Sequence, residues 1–379
     1  MFSDHRSAPQ QPHFFLTLCS RQAAPASAPE LPPRLNRFIS GGLQHLASGS
    51  YSQVFKTTAR GIPTALKVIR CGLDLSRMYL AMRECAMNQL VRRCSGTVPM
   101  LEYDVQRSQD GFTVFILQEY RMPLDEYCLS QSITAPCAIR LVRELCTALE
   151  ECRLAGVAHL DLQPGNLFVD DNGHALLGDF SCALPLEELE NYRQLRGTLA
   201  YAAPEVVRDH RYSQAADVYS LGLILYSLLC GGQLPFTDSL SLAEASRRRL
   251  DGHAFLLPDS LDPKLRTLVE KACAHRPEDR YGSLAAFRQA LDALSVDAGD
   301  PVSPFSRHTA LDDDEISIAT SIHITAGVTR PSPDEEFGDW ATSRIPPKED
   351  WIVPDSLTDT WVDTVVEDLL FAATILPQM

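Results

Sequence analysis

The stretch HLDLQPGN, His159–Asn166, decides how the rest of the chain is read. It sets a carboxylate, Asp161, and a side-chain amide, Asn166, five positions apart in one short loop. A second carboxylate, Asp179 in GDFS (178–181), follows 18 residues after Asp161. Between them LFVDDNGHALLGD reads as a strand, a tight turn and a second strand. Such a hairpin holds the two carboxylates near one another.

Upstream, LASGSYSQV (46–54) lies between two strand-like runs, with RGIP (60–63) supplying the next turn. Bare backbone at a glycine can approach phosphate closely; here Gly49 is the only glycine, with Ala47 and Ser52 where others would stand. Lys67 in TALKVI follows on a strand, and Glu84 comes 17 residues later on a helix-forming run, SRMYLAMRECAMNQLVRR. Phosphoryl transfer needs a loop over the phosphates, a lysine beside them, a carboxylate for magnesium and another to orient the incoming hydroxyl. The parts occur here in that order.

The framework around them divides in two. From about 40 to 120 the pattern is mostly strands, ending in the β-branched and aromatic FTVFILQEY. After Pro123 it turns helical: TAPCAIRLVRELCTALEECRLAG carries an apolar stripe at Ile139, Val142, Cys146, Leu149 and Cys152, with Thr134 to cap its start and Gly156 to end it. DVYSLGLILYSLLCGG is too short and interrupted to span a bilayer and reads as a buried core helix. HFFLTLC near the start lacks the features of a signal peptide.

Charge is uneven. From Asp297 onward fall 17 of the 49 acidic and 4 of the 34 basic residues, so that segment carries -13 and the first 296 residues -2. An acidic chain with no basic stripe argues against nucleic acid as the main partner. The 11 cysteines form no C-x-x-C pair or metal-ligand spacing, which fits a reducing, cytoplasmic setting.

Taken together, these motifs resemble the eukaryotic-like (Hanks-type) serine/threonine protein kinases over about residues 40–296, with a style similar to bacterial members. RGTLAYAAPE matches the end of an activation segment, with Ala203, Pro204 and Glu205 as A-P-E. DVYSLG resembles D-x-W-S-x-G, and RPEDRYGS the late motif whose arginine, here Arg280, pairs with Glu205. The resemblance implies an α+β, bilobal protein kinase fold, with a β-rich N-lobe over 39–121 and a mainly helical C-lobe over 122–296; composition alone marks a flexible Pro/Ala-rich leader over 1–38 and a disordered acidic tail over 297–379. It implies ATP and Mg2+ in the cleft. The loop Leu46, Ala47, Ser48, Gly49, Ser50, Tyr51, Ser52 would cover the phosphates. Val54, Ala65 and Phe168 would sandwich the adenine, beside Gln118 as gatekeeper and the Glu119 and Arg121 backbone. Lys67 and Glu84 would pair at the phosphates, Asp161 would orient the substrate hydroxyl, and Asn166 and Asp179 would hold magnesium. Gln163 and Thr198 complete the expected reacting groups. His159, Phe180, Glu205, Asp217 and Arg280 have structural roles, Asp217 steadying the catalytic loop. Thr198 in GTLAY favours Ser/Thr over Tyr specificity on a protein substrate.

Four positions depart from the family pattern. Leu160 replaces the arginine that gathers a phosphorylated activation loop, so control through that arginine is not expected. Gln163 replaces a lysine, keeping a donor without charge. Ser181 replaces the glycine of D-F-G. Asn88, one turn after Glu84, stands where an apolar residue is common, and if buried its amide needs a partner. The competing reading is a pseudokinase scaffold, and a lesser one a small-molecule phosphotransferase. The tail places Trp340, Trp351 and Trp361 beside acids, either as a solvated segment or as short docking motifs for a partner or the kinase lobe. Cys182, beside GDFS, is expected to be an inert buried thiol.

Overall fold

A computed structural model describes residues 28–49, 51–237, 240–255 and 257–294. Ser50 and the tail with its three tryptophans lie outside them.

The first lobe contains α1 (Pro33–Asn36), β1 (Gln44–Ser48), β2 (Ser52–Ala59), β3 (Ile62–Gly72), α2 (Leu75–Leu90), β4 (Met100–Ser108) and β5 (Gly111–Glu119). The strands make one antiparallel sheet in the order β1-β2-β3-β5-β4. Arg60 and Gly61, at φ 51° and 82°, form the two-residue turn between β2 and β3, the geometry that matches strand twist. Period-2 alternation splits β3 cleanly. Leu66 and Val68 join Phe55, Phe115 and Leu117 on the outer face, and Ala65 and Lys67 point the other way.

Part of the stretch expected to be a flexible leader is folded. Pro33 opens α1, and Leu35 is fully buried against the outer face of the sheet. Proline-rich composition hid this, although proline suits a first helical turn. Apolar residues (Leu31, Leu35, Phe38) supply the contact.

The second lobe begins with β6 (Met122–Pro123), α3 (Leu124–Ser130), α4 (Ala135–Leu154) and β7 (Val157–Ala158). The hairpin β8 (Leu167–Val169) and β9 (Ala175–Leu177) follows, then β10 (Leu184–Pro185) and α5 (Leu186–Leu189). It closes with α6 (Pro204–Asp209), α7 (Gln214–Leu229), α8 (Leu242–Leu250), α9 (Pro263–Ala272) and α10 (Leu284–Asp292). Thr134 caps α4 by accepting from the Cys137 amide, and Gly156, at φ 81°, turns the chain out of it. α7 is buried nearly all round, as its unbroken apolar run requires. Leu221, Leu223, Ile224 and Leu225 are fully buried there, each contributing about 1.5–3 kcal/mol. Gly222 permits the close approach of α9, since a Cβ there would lie 2.7 Å from the Cys273 sulfur. No helix among the described residues is long and apolar enough to cross a membrane.

The lobes are bolted together behind the cleft. The Ser95 and Gly96 amides donate to Glu151 of α4 at 2.7 and 3.3 Å. A Cβ at Gly96 would lie 2.4 Å from the Cβ of Ala148. The Val98 amide donates to the Leu177 carbonyl at 2.7 Å, tying β4's approach to the hairpin. These contacts fix α2, which carries Glu84, relative to the loop that carries Asp179.

Candidate active site

Lys67 projects from β3 and Glu84 from α2, and their side chains meet at 2.7 Å. The same ammonium lies 3.2 Å from Asp179 at the end of the β8–β9 hairpin. Burial works against the Lys67 charge, but Asp179 and Glu84 together outweigh it, and the lysine pKa is raised. Two carboxylates therefore share one ammonium. Burial alone would raise Asp179, yet Lys67 and the Ser181 amide, 3.1 Å from its Oδ1, hold it well below the usual carboxylate range. Glu84 is the one pushed up, to about 7, by burial against the pull of Lys67 and with Asp179 adding its charge.

Asp161 is held from several sides. Its Oδ1 accepts from the Thr198 amide at 2.8 Å. Its Oδ2 accepts from Asn166 Nδ2 at 2.8 Å and from Gln163 Nε2 at 3.3 Å. Asn166 also donates to the Asp161 carbonyl at 2.9 Å, so the turn Pro164–Asn166 folds back on the carboxylate it serves. His159 donates from Nε2 to the Gly178 carbonyl at 2.9 Å and packs edge-on against Phe180. Burial lowers its pKa, keeping the ring neutral. Leu160 and Asp179 both lie in the left-handed region, at φ 67° and 51°. That conformation is uncommon for a bulky residue such as leucine and marks local strain at the loop.

The residues expected to face a nucleotide gather on neighbouring strands. Val54 lies opposite Lys67, and Ala65 opposite Gln118, in the sheet register. Leu46, Ala47 and Ser48 lie on β1, where Ala47 pairs with Val54. The Gly49 amide bonds the Ser52 carbonyl at 2.6 Å, and the Tyr51 ring lies 3.5 Å from the Arg77 guanidinium of α2. Phe168 packs so closely on Gly178 that a Cβ there would lie 2.5 Å from its ring. Glu119 pairs with Thr64 at the end of β5, and the side chain of Arg121 bonds those of Glu119 and Asp171. Asn88 finds the partners its burial demands: it donates to the Glu84 carbonyl at 2.9 Å and accepts from Gln118 at 3.3 Å.

Farther out, Arg280 is fully buried and grips Glu205 by two bonds of 2.8 Å. Asp217 lines a cavity with Leu160 and Thr198 and lies 3.9 Å from Arg153. Burial pushes it up to about 7 against that arginine. Burial also raises the Cys182 thiol well above its ordinary value, in keeping with an inert sulfur.

The sequence named Thr198 but not the way it acts, and passed over Gly197. Thr198 reaches Asp161 through its backbone amide. The preceding Gly197, at φ 89°, makes that possible, because a Cβ there would lie 2.4 Å from the Leu160 carbonyl oxygen. The glycine beside Thr198 was the available signal.

Residues 42–292 match the protein kinase domain family. The serine/threonine-protein kinase PknL of Mycobacterium bovis is 30% identical over 266 residues, 68% of this chain and 65% of that protein. The CBL-interacting serine/threonine-protein kinase 5 of Arabidopsis thaliana is 32% identical over 256 residues, 64% of this chain and 55% of its own length. Serine/threonine-protein kinase PknB of Mycolicibacterium smegmatis is 29% identical over 256 residues, 62% of this chain and 39% of its own. The chain thus spans less than two thirds of the length of these relatives. The family match runs through both lobes and takes in every candidate site residue described above, and the chain belongs to the protein kinase domain family.

Proposed function

We propose that the protein transfers the γ-phosphoryl group of ATP to serine and threonine hydroxyls of other proteins, in a cytoplasmic setting. The observation that carries this reading is the bonding of Lys67 to Glu84 and Asp179 across the lobes, beside the Asp161–Asn166 pair that the Gly178 amide ties to the Asp179 loop. A decayed fold has no reason to keep all five.

Lys67, steadied by Glu84, neutralises the nucleotide phosphates. Asp179, held ionised, and the Asn166 amide oxygen form a hard oxygen donor set that suits Mg2+. Mg2+ held by these two residues would offset the charge of the phosphates. Asp161, its carboxylate fixed by three donors, orients the substrate hydroxyl and takes its proton as the oxygen attacks phosphorus. Gln163 contributes a neutral donor where a cation would stabilise the developing charge more.

Control through activation-loop phosphorylation is absent from this reading. Leu160 cannot gather a phosphate, and between Cys182 and Gly197 the segment contains no serine or threonine. Its start is tethered instead by Arg83 of α2, which bonds the Ala183 carbonyl at 3.4 Å and lies 3.9 Å from Glu188. The test is transfer from radiolabelled ATP into peptide mixtures bearing Ser, Thr or Tyr as the only acceptor, using protein freed of phosphate by a phosphatase. Label in the Ser and Thr mixtures is expected. Label confined to Tyr, or activity that appears only after loop phosphorylation, contradicts the reading.

A further inference from the structure

We propose that Arg249, on α8, is a positioning residue that shapes the backbone receiving the peptide substrate. The proposal rests on the kinase reading above, in which the stretch after Thr198 faces the substrate. Arg247, Arg248 and Arg249 form a basic run, and the first two lie on the surface beside Glu244. Arg249 turns inward with Ala245, one helical turn earlier, and is only 4% exposed. Its Nη2 donates to the Leu199 and Ala200 carbonyls, both at 3.0 Å. Its Nη1 donates to the Ala202 carbonyl at 2.9 Å and to the Tyr219 hydroxyl at 2.8 Å.

All four acceptors are uncharged. Burying a guanidinium is unfavourable unless its N–H groups are satisfied, and here backbone carbonyls of one short segment do most of that work. A planar fork of donors suits this in a way a lysine does not. Tyr219 strengthens the assignment. It stands where the D-x-W-S-x-G pattern has tryptophan, whose indole only donates. A tyrosine hydroxyl accepts, so the departure at 219 matches the arginine at 249. The Tyr219 ring also lies 4.6 Å from the guanidinium carbon of Arg280, which holds Glu205. Arg249 thus links α7 and α8 to the segment between Thr198 and Glu205 with no phosphate required.

The experiment uses the full chain with Arg249→Met, Arg249→Lys and Tyr219→Phe. It measures kcat and KM for a peptide, KM for ATP, and ATP hydrolysis without peptide. Arg249→Met is expected to lower peptide kcat/KM about thirtyfold, mainly through KM, by losing charge-assisted bonds. Its KM for ATP and its basal hydrolysis should stay within about twofold, since no nucleotide-side group is touched. Arg249→Lys should recover part of the loss, and Tyr219→Phe should lose about threefold. Equal losses on the peptide and ATP sides, or no loss, overturn the proposal. If Arg249→Met does not fold, an unchanged peptide KM in Tyr219→Phe overturns it. Failure of the kinase reading is seen separately, as a wild-type protein that labels no peptide. Amide exchange over residues 199–203 then decides: unchanged protection in Arg249→Lys overturns the positioning role.

Discussion

Glu205→Gln is the sharpest perturbation of the helical lobe. Glu205 is 7% exposed, and Arg280 makes two 2.8 Å bonds to it with no exposure of its own side chain. The glutamine keeps the shape but leaves a buried guanidinium without its counter-charge. Breaking such a pair costs about 3–5 kcal/mol. At about 2–4 °C per kcal/mol for a unit of this size, Tm should fall by roughly 6–20 °C. Arg280→Met should cost more, because it also strands the Ala215, Ala274 and His275 carbonyls that the guanidinium serves. Urea unfolding followed by far-UV circular dichroism is the suitable assay, since all three tryptophans lie in the tail at 340, 351 and 361. The loss should persist at high salt, because a buried pair is poorly screened. A cost below about 1 kcal/mol for Glu205→Gln, or a smaller cost for Arg280→Met, would refute the reasoning.

Other substitutions probe the site itself. Asp217 has its folded pKa raised to about 7 from 3.8, so its contribution to stability is full below the lower value and is lost as pH rises through the upper one. Asp217→Asn should therefore gain Tm relative to wild type between pH 5 and pH 8, and a constant difference in thermal melts counts against the buried, protonated carboxyl. Gln163→Lys should raise kcat about tenfold by adding charge opposite the transferring phosphate; an unchanged kcat in steady-state assays would mean the position does not face it. Asn88→Leu should destabilise by about 1–3 kcal/mol, because the Gln118 amide loses its partner, whereas adding Gln118→Met should recover most of that loss in urea unfolding. A double variant as unstable as the single one removes the hydrogen bond from the account.

The candidate catalytic groups were legible because spacing and residue type constrain them together. Lys67, Glu84, Asp161, Asn166 and Asp179 could be read in order; the structure joins Lys67 to Glu84 and Asp179, and Asp161 to Asn166, with the Gly178 amide donating to the Asn166 carbonyl between the two groups. The helices of the second lobe were legible for another reason: Thr134, Gly156 and the apolar stripe of α4 state its limits locally. What escaped was long-range. Nothing in the proline-rich start announces that Leu35 closes the outer face of the sheet. The arginine run on α8 drew no reading from the sequence, and only the packed helix shows that its third member points inward. Gly197 drew no reading from the sequence; its left-handed backbone beside Leu160 emerges only in the fold. Asn88 was flagged as needing a partner, but the partner, Gln118, lies 30 residues away on another strand.

The central claim is that Asp161 serves phosphoryl transfer in an intact site. Single-turnover transfer from radiolabelled ATP to a Ser/Thr peptide, with wild type and Asp161→Asn at saturating nucleotide, tests it most directly. ATP binding, measured in parallel by calorimetry, should be nearly equal in the two proteins, while transfer in the variant should be slower by a factor of about 100 or more. Equal, background-level transfer in both proteins despite normal ATP binding would contradict the account and identify a nucleotide-binding scaffold.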